Sequence, residues 1–125
     1  MEYIIKKCNK CGAIIQVLKD CTCNDCGVRC CNEQMKTLIP NSVDASFEKH
    51  LPVYEIKDDM VEVTVNHVME EEHYIGWITI YYEDGSNCTK FLKPGSSATA
   101  VFEYKENAIL YAYCNKHGLW ETKLK

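Results

Sequence analysis

The chain has 125 residues, 46% hydrophobic and 26% charged, which suits one packed domain of about 100 residues plus a small appendage and excludes a multi-domain enzyme or a disordered chain. Its net charge of -4 argues against a surface built to neutralise a phosphate backbone, so nucleic acid is not an expected partner. No run free of charges and prolines approaches the roughly 20 residues that cross a bilayer, and no membrane association is expected.

The first residues, Met1-Glu2-Tyr3-Ile4-Ile5-Lys6-Lys7, hold neither a basic segment leading into a long apolar core nor a small-residue cleavage site, so a cytoplasmic location is expected. That compartment disfavours structural disulfides and leaves metal binding or redox chemistry as the usual reasons for dense thiols. Of nine cysteines, seven fall between Cys8 and Cys31. Cys8-Asn9-Lys10-Cys11-Gly12 is a metal knuckle: two thiolates at this spacing reach one tetrahedral ion, and glycine permits the tight turn between them. A second pair must close the site, and the adjacent Cys30-Cys31 competes with Cys23-Asn24-Asp25-Cys26-Gly27. Zinc and iron both fit such a sulfur cage. A thioredoxin-like role is disfavoured, because no βαβ pattern surrounds the motif.

Turn formers in Leu38-Ile39-Pro40-Asn41-Ser42 mark a boundary at about residues 38 to 44, dividing the chain into 1–38 and 39–125. A module as small as the first needs a metal or another staple. Beyond the boundary the sequence predicts strands at 53–56, 61–65, 77–82, 90–92, 99–104 and 109–113, rich in β-branched and aromatic residues. Glu83-Asp84-Gly85-Ser86 reads as a hairpin turn and Lys93-Pro94-Gly95 as a break, while no segment carries a helical period. Short strands separated by turns predict an all-β domain, an antiparallel sandwich or barrel. Cys88 reads as a small buried hydrophobe.

All four histidines lie in the second part: His50, His67, His73 and His117, the last in Cys114-Asn115-Lys116-His117-Gly118. The C-x-x-H spacing sets a thiolate and an imidazole on one short loop. Four imidazoles and a thiolate exceed the four ligands of a structural zinc site and suit a five-coordinate redox metal with one open position. A blue-copper carrier fits less well, since such sites use two histidines and an axial methionine. A zinc ribbon ahead of a non-catalytic sandwich, serving structure or electron transfer, is the competing reading.

Four blocks carry a more specific likeness: Glu48-Lys49-His50-Leu51-Pro52-Val53, Asn66-His67-Val68-Met69-Glu70-Glu71-Glu72-His73-Tyr74-Ile75-Gly76-Trp77-Ile78, Lys90-Phe91-Leu92-Lys93-Pro94-Gly95 and Cys114-Asn115-Lys116-His117-Gly118-Leu119-Trp120. Together they resemble desulfoferrodoxin, the two-iron superoxide reductase family. The likeness extends through Cys8-x-x-Cys11-Gly12 and Cys30-Cys31-Asn32-Glu33-Gln34-Met35-Lys36, which is similar to that family's desulforedoxin-like module.

The resemblance implies an immunoglobulin-like β-sandwich behind a small desulforedoxin-like metal domain. It implies a catalytic ferrous centre held by His50, His67, His73 and His117 with Cys114 as axial thiolate. It further implies a second, rubredoxin-like iron, or zinc in its place, on Cys8, Cys11, Cys30 and Cys31. The implied activity is one-electron reduction of superoxide to hydrogen peroxide without dioxygen, protecting an anaerobe or microaerophile. Lys49 is the candidate cation that steers the anionic substrate, and Glu48 the carboxylate that ligates the oxidised iron once product leaves. Two features depart from the family pattern. Val68 stands where proline is common, and Cys21, Cys23 and Cys26 occupy a loop that usually lacks thiols, which keeps Cys23 and Cys26 as alternative ligands. With no G-x-G-x-x-G motif for flavin or nicotinamide, electrons must come from outside, and the family implies a rubredoxin-like donor and a homodimer.

Overall fold

A computed structural model describes residues 2–22 and 27–125. The chain divides into two compact units, Met1–Leu38 and Ile39–Lys125. In the first, β1 (Ile4–Lys7) lies between β2 (Ile14–Val17) and β5 (Lys36–Thr37) in an antiparallel sheet, with Ile5 opposite Gln16 and Lys7 opposite both Ile14 and Lys36. β3 (Arg29–Cys30) and β4 (Glu33–Gln34) form a separate ribbon. Its two-residue turn, Cys31-Asn32, has φ of 53° and 65°, the left-handed pair that a right-twisted hairpin demands. Asparagine tolerates this region, whereas at Cys31 it costs about 1–2 kcal/mol. Tyr3, Ile5, Cys8 and Met35 are buried here, together with Lys6, whose ammonium meets Asp20 at 3.3 Å.

The second unit opens with a single helical turn, α1 (Phe47–His50), closed by the Leu51 N–H donating to the Phe47 carbonyl at 2.8 Å and stopped by Pro52. Seven strands follow: β6 (Val53–Lys57), β7 (Met60–Thr64), β8 (Ile75–Tyr81), β9 (Asn87–Phe91), β10 (Thr99–Glu103), β11 (Ile109–Cys114) and β12 (Gly118–Lys123). They form two antiparallel sheets, ordered β10-β7-β6 and β12-β11-β8-β9. Alternation selects the inward residues. Val61 and Val63 of β7, with Val65 just past its end, meet Ile78, Ile80, Leu110 and Ala112 from the second sheet, all 3% exposed or less. The result is an all-β sandwich, as expected.

Departures from the expected elements have local causes. β12 was not anticipated, because Gly118-Leu119-Trp120-Glu121-Thr122-Lys123 follows a glycine and lacks a clean alternation, yet it pairs with β11 from Cys114↔Gly118 to Ile109↔Lys123. α1 is too short for a helical period to register. Cys88 is exposed, which corrects its reading as a buried hydrophobe: β9 is an edge strand with one neighbour, and the burial that hydrophobicity suggests does not reach it. Among the described residues no helix is long and apolar enough to cross a membrane.

Candidate metal centres

The first cluster grows from the end of β1. Cys8 follows Lys7 directly, and the chain then turns tightly, with the Gly12 N–H on the Cys8 carbonyl at 3.0 Å and Gly12 at φ of 80°. The turn aims the Cys11 N–H at the Cys8 sulfur, 3.5 Å away. The β3–β4 ribbon supplies the other pair. Two adjacent residues of an extended strand point to opposite faces, so Cys30 and Cys31 share a site only because Cys31 lies in the turn. Cys11 and Cys30 sulfurs approach to 3.6 Å, Cys30 and Cys31 to 3.9 Å, and all four lie within 4.8 Å of one another.

Backbone N–H groups of Cys11 and Lys10 hold the Cys8 thiol down at about 6, on the thiolate side of neutrality. The thiols of Cys11, Cys8 and Cys31 push Cys30 up to about 12, and Cys31 is raised as well, chiefly by Cys11. Four sulfurs this close cannot all ionise unless a cation sits among them, so the donor set fits a thiophilic metal ion. Cys23 and Cys26, the alternative pair, lie outside the described residues.

The second cluster draws on three separate connections of the sandwich. His50 ends α1, His67 and His73 flank the β7–β8 loop, and Cys114 and His117 bracket the β11–β12 turn. A bulge in the β8–β11 pairing, where Tyr113 faces Trp77 but Cys114 faces Ile75, skips Gly76 and re-phases β8 just after His73. The β11–β12 turn is a three-residue loop closed by Gly118 at φ of 78°, which returns His117 to the side of Cys114.

The donor atoms converge. His50 Nε2 lies 3.1 Å from His117 Nδ1, and His67 Nε2 lies 3.1 Å from His73 Nε2. Cys114 Sγ lies 3.4 Å from His67 Nε2 and 3.8 Å from His117 Nδ1. His50 donates its Nδ1–H to the Ser46 carbonyl at 2.6 Å, and His67 its Nδ1–H to the Val68 carbonyl at 2.5 Å. A carbonyl only accepts, so both rings present a bare Nε2 inward. His50 also stacks on the fully buried Trp120, centroids 4.8 Å apart, and the Trp120 indole N–H donates to the His117 carbonyl at 3.0 Å.

Bare nitrogens do not attract one another; what suits a 3.1 Å pair is an ion between them. Bonds of about 2.1 Å at right angles separate two nitrogens by about 3.0 Å. Burial pushes His50, His67 and His73 below the ordinary imidazole value, which keeps them neutral and ready to ligate. Burial raises the Cys114 thiol, against backbone N–H groups of Lys116 and His117 that favour its thiolate. Nitrogen and sulfur donors without a carboxylate exclude a calcium or magnesium site and fit a borderline transition metal such as iron.

Glu48 and Lys49 are exposed on α1, and the Lys49 charge reaches His50. Sequence reasoning passed over three residues: Trp120, against which His50 rests, Lys116, whose charge reaches His73 and Cys114, and Asn115, whose amide bonds to the His73 loop. Their only signal was position, within or just after the C-x-x-H.

The family model described as Desulfoferrodoxin matches residues 42–123. The desulfoferrodoxin of Desulfarculus baarsii is 41% identical over 127 residues, covering 95% of this chain and 94% of its own. That of Nitratidesulfovibrio vulgaris is 39% identical, covering 98% and 97%. The superoxide reductase from Treponema pallidum superposes with a TM-score of 0.70 at 26% identity, over 95% of this chain and 98% of that one. A family match across most of the second unit, joined to relatives similar from end to end, means that this chain belongs to the desulfoferrodoxin family.

Proposed function

We propose that this chain is a superoxide reductase whose reacting centre is iron held by His50, His67, His73, His117 and Cys114. The observation that carries the reading is the convergence of four imidazole nitrogens and one buried sulfur from three separate connections. Bound there, ferrous iron supplies the one electron that, with two protons, takes superoxide to hydrogen peroxide without forming dioxygen.

The chain's own residues provide the rest. The five donors would hold an ion while leaving it able to take one further small ligand, such as an oxygen anion. The Ser46 and Val68 carbonyls lock the tautomers of His50 and His67, and Trp120 fixes the His50 ring plane. The backbone N–H groups of Lys116 and His117 stabilise the Cys114 thiolate, whose electron donation favours the oxidised metal. Because the chain carries a net charge of -4, an anionic substrate needs a local cation, and Lys49, exposed beside His50, is that cation. Glu48, exposed on the same turn, would be the carboxylate that ligates the oxidised metal.

Cys8, Cys11, Cys30 and Cys31 hold the second metal, iron by family pattern, with zinc meeting the same sulfur chemistry. A rubredoxin-like carrier delivers electrons, and the protein works in the cytoplasm as a homodimer. Metal counts combined with visible and paramagnetic resonance spectra before and after superoxide treatment test the reading. The expected result is iron at the histidine centre that oxidises on treatment, with peroxide formed and no dioxygen. A single zinc per chain, or dioxygen released in step with peroxide, would overturn it.

A further inference from the structure

Asn115 stands between Cys114 and His117 in sequence, yet its hydrogen bonds leave that loop altogether. Its Nδ2 donates to the Glu72 carbonyl at 2.9 Å, its Oδ1 accepts the Tyr74 N–H at 2.9 Å, and its own N–H donates to the Tyr74 carbonyl at 3.2 Å. The partners are the residues on either side of His73. All three partner groups are main chain, so the link depends on the path of the His73 loop rather than on the side chains there.

The loop needs such an anchor. Residues 65–74 connect β7 to β8, and Glu70, Glu71 and Glu72 carry three adjacent exposed carboxylates whose mutual repulsion favours an open loop. The paired backbone bonds between Glu70 and His73, at 3.0 and 3.1 Å, close the turn upon itself without tying it to the cysteine-bearing turn. Asn115 makes that tie. An uncharged amide satisfies a carbonyl and an N–H at once and adds no charge beside the centre.

We infer that Asn115 is a positioning residue of the metal centre, holding His73 in register with Cys114 and His117 by clamping the main chain on both sides of that histidine. The inference rests on the reading of His73 and Cys114 as ligands. Outer-shell partners of this kind are worth about 10- to 100-fold in metal affinity or activity. Asn115→Asp keeps the acceptor for the Tyr74 N–H but replaces the Nδ2 donor with a carboxylate oxygen facing the Glu72 carbonyl; because it also adds a charge, it is read by the imidazole couplings rather than by the potential.

The test uses the iron-loaded protein and measures nitrogen hyperfine couplings at the oxidised histidine centre, its reduction potential, iron loss to a chelator, and thermal unfolding. Asn115→Ala is expected to alter the coupling of one imidazole, shift the potential and weaken iron retention by about 10- to 100-fold, with the coupling in Asn115→Asp between it and the wild type. Wild-type couplings, potential and retention in Asn115→Ala would overturn the inference, even with a lowered melting temperature, because Asn115 would then serve only loop stability. If Asn115→Ala does not fold, the imidazole couplings of Asn115→Asp decide: wild-type couplings there overturn the inference. His73→Ala separates this inference from the reading beneath it. Unchanged couplings in His73→Ala bring down the ligand assignment and the inference with it, whereas a lost coupling there beside intact couplings in Asn115→Ala brings down the inference alone.

Discussion

Lys49 and His50 are neighbours in sequence and opposites in environment: the lysine is exposed, while the histidine is 4% exposed and stacked on Trp120. α1 produces the contrast, since its one turn puts consecutive side chains about 100° apart. A cation held at the surface beside a buried histidine acts on a charged substrate through the field it projects rather than by ligation. Lys49→Ala is therefore expected to slow the bimolecular reaction with superoxide by about tenfold and to flatten its dependence on ionic strength, leaving the iron spectrum intact. Pulse radiolysis at several salt concentrations measures this, and an unchanged rate removes Lys49 from the mechanism. Cys114→Ser is expected to abolish the sulfur-to-iron charge-transfer band of the oxidised centre, and its persistence would mean that Cys114 is not the thiolate ligand.

At the scale of elements, sequence legibility followed the range of the signal. Cys8-x-x-Cys11-Gly12 and Cys114-x-x-His117 are local, and each folds as a tight turn whose glycine takes positive φ. His50, His67 and His73 sit on connections far apart in sequence; their number beside the C-x-x-H suggested one shared metal, and the resemblance assigned each of them to it. β12 was the largest omission, although it holds Trp120, the residue under His50. The indole is fully buried, stacked on His50 and bonded to the backbone carbonyl of His117. Trp120→Ala is expected to cost about 3–5 kcal/mol in chemical denaturation and to weaken iron retention at the histidine centre. A cost below about 1 kcal/mol would mean the ring is not the packing anchor described.

The two units stand on different physical footings. Residues 39–125 enclose a continuous core between two sheets, with Val61, Ile75, Ile78, Ile80, Ala108, Leu110 and Ala112 all fully buried. Among its described residues the first unit buries few large apolar side chains, and four of its thiols, Cys8, Cys11, Cys30 and Cys31, repel one another once ionised, so its fold leans on the ion those four would hold. Stripping both metals with a chelator under reducing conditions is expected to collapse amide dispersion in the nuclear magnetic resonance spectrum for residues of the first unit while the sandwich keeps its own. Retention of dispersed signals from Ile4–Lys7 in the metal-free protein would show that the small sheet supports itself.

The antiparallel run of strands through the sandwich, crossing between its two sheets, has a practical corollary. Chain reversals alternate between its two ends, so the turn at 58–59 and the one at Glu83-Asp84-Gly85-Ser86 lie a strand's length, about 20 Å, from the reversals that carry the histidines. Gly85 already takes a φ of 91°, in a turn tied by its own N–H to the Tyr82 carbonyl at 2.9 Å. A dye, an electrode tether or a fused cargo grafted beside that reversal would hang from the pole opposite the chemistry, giving this scaffold a handle for immobilisation that leaves the reacting end facing solvent.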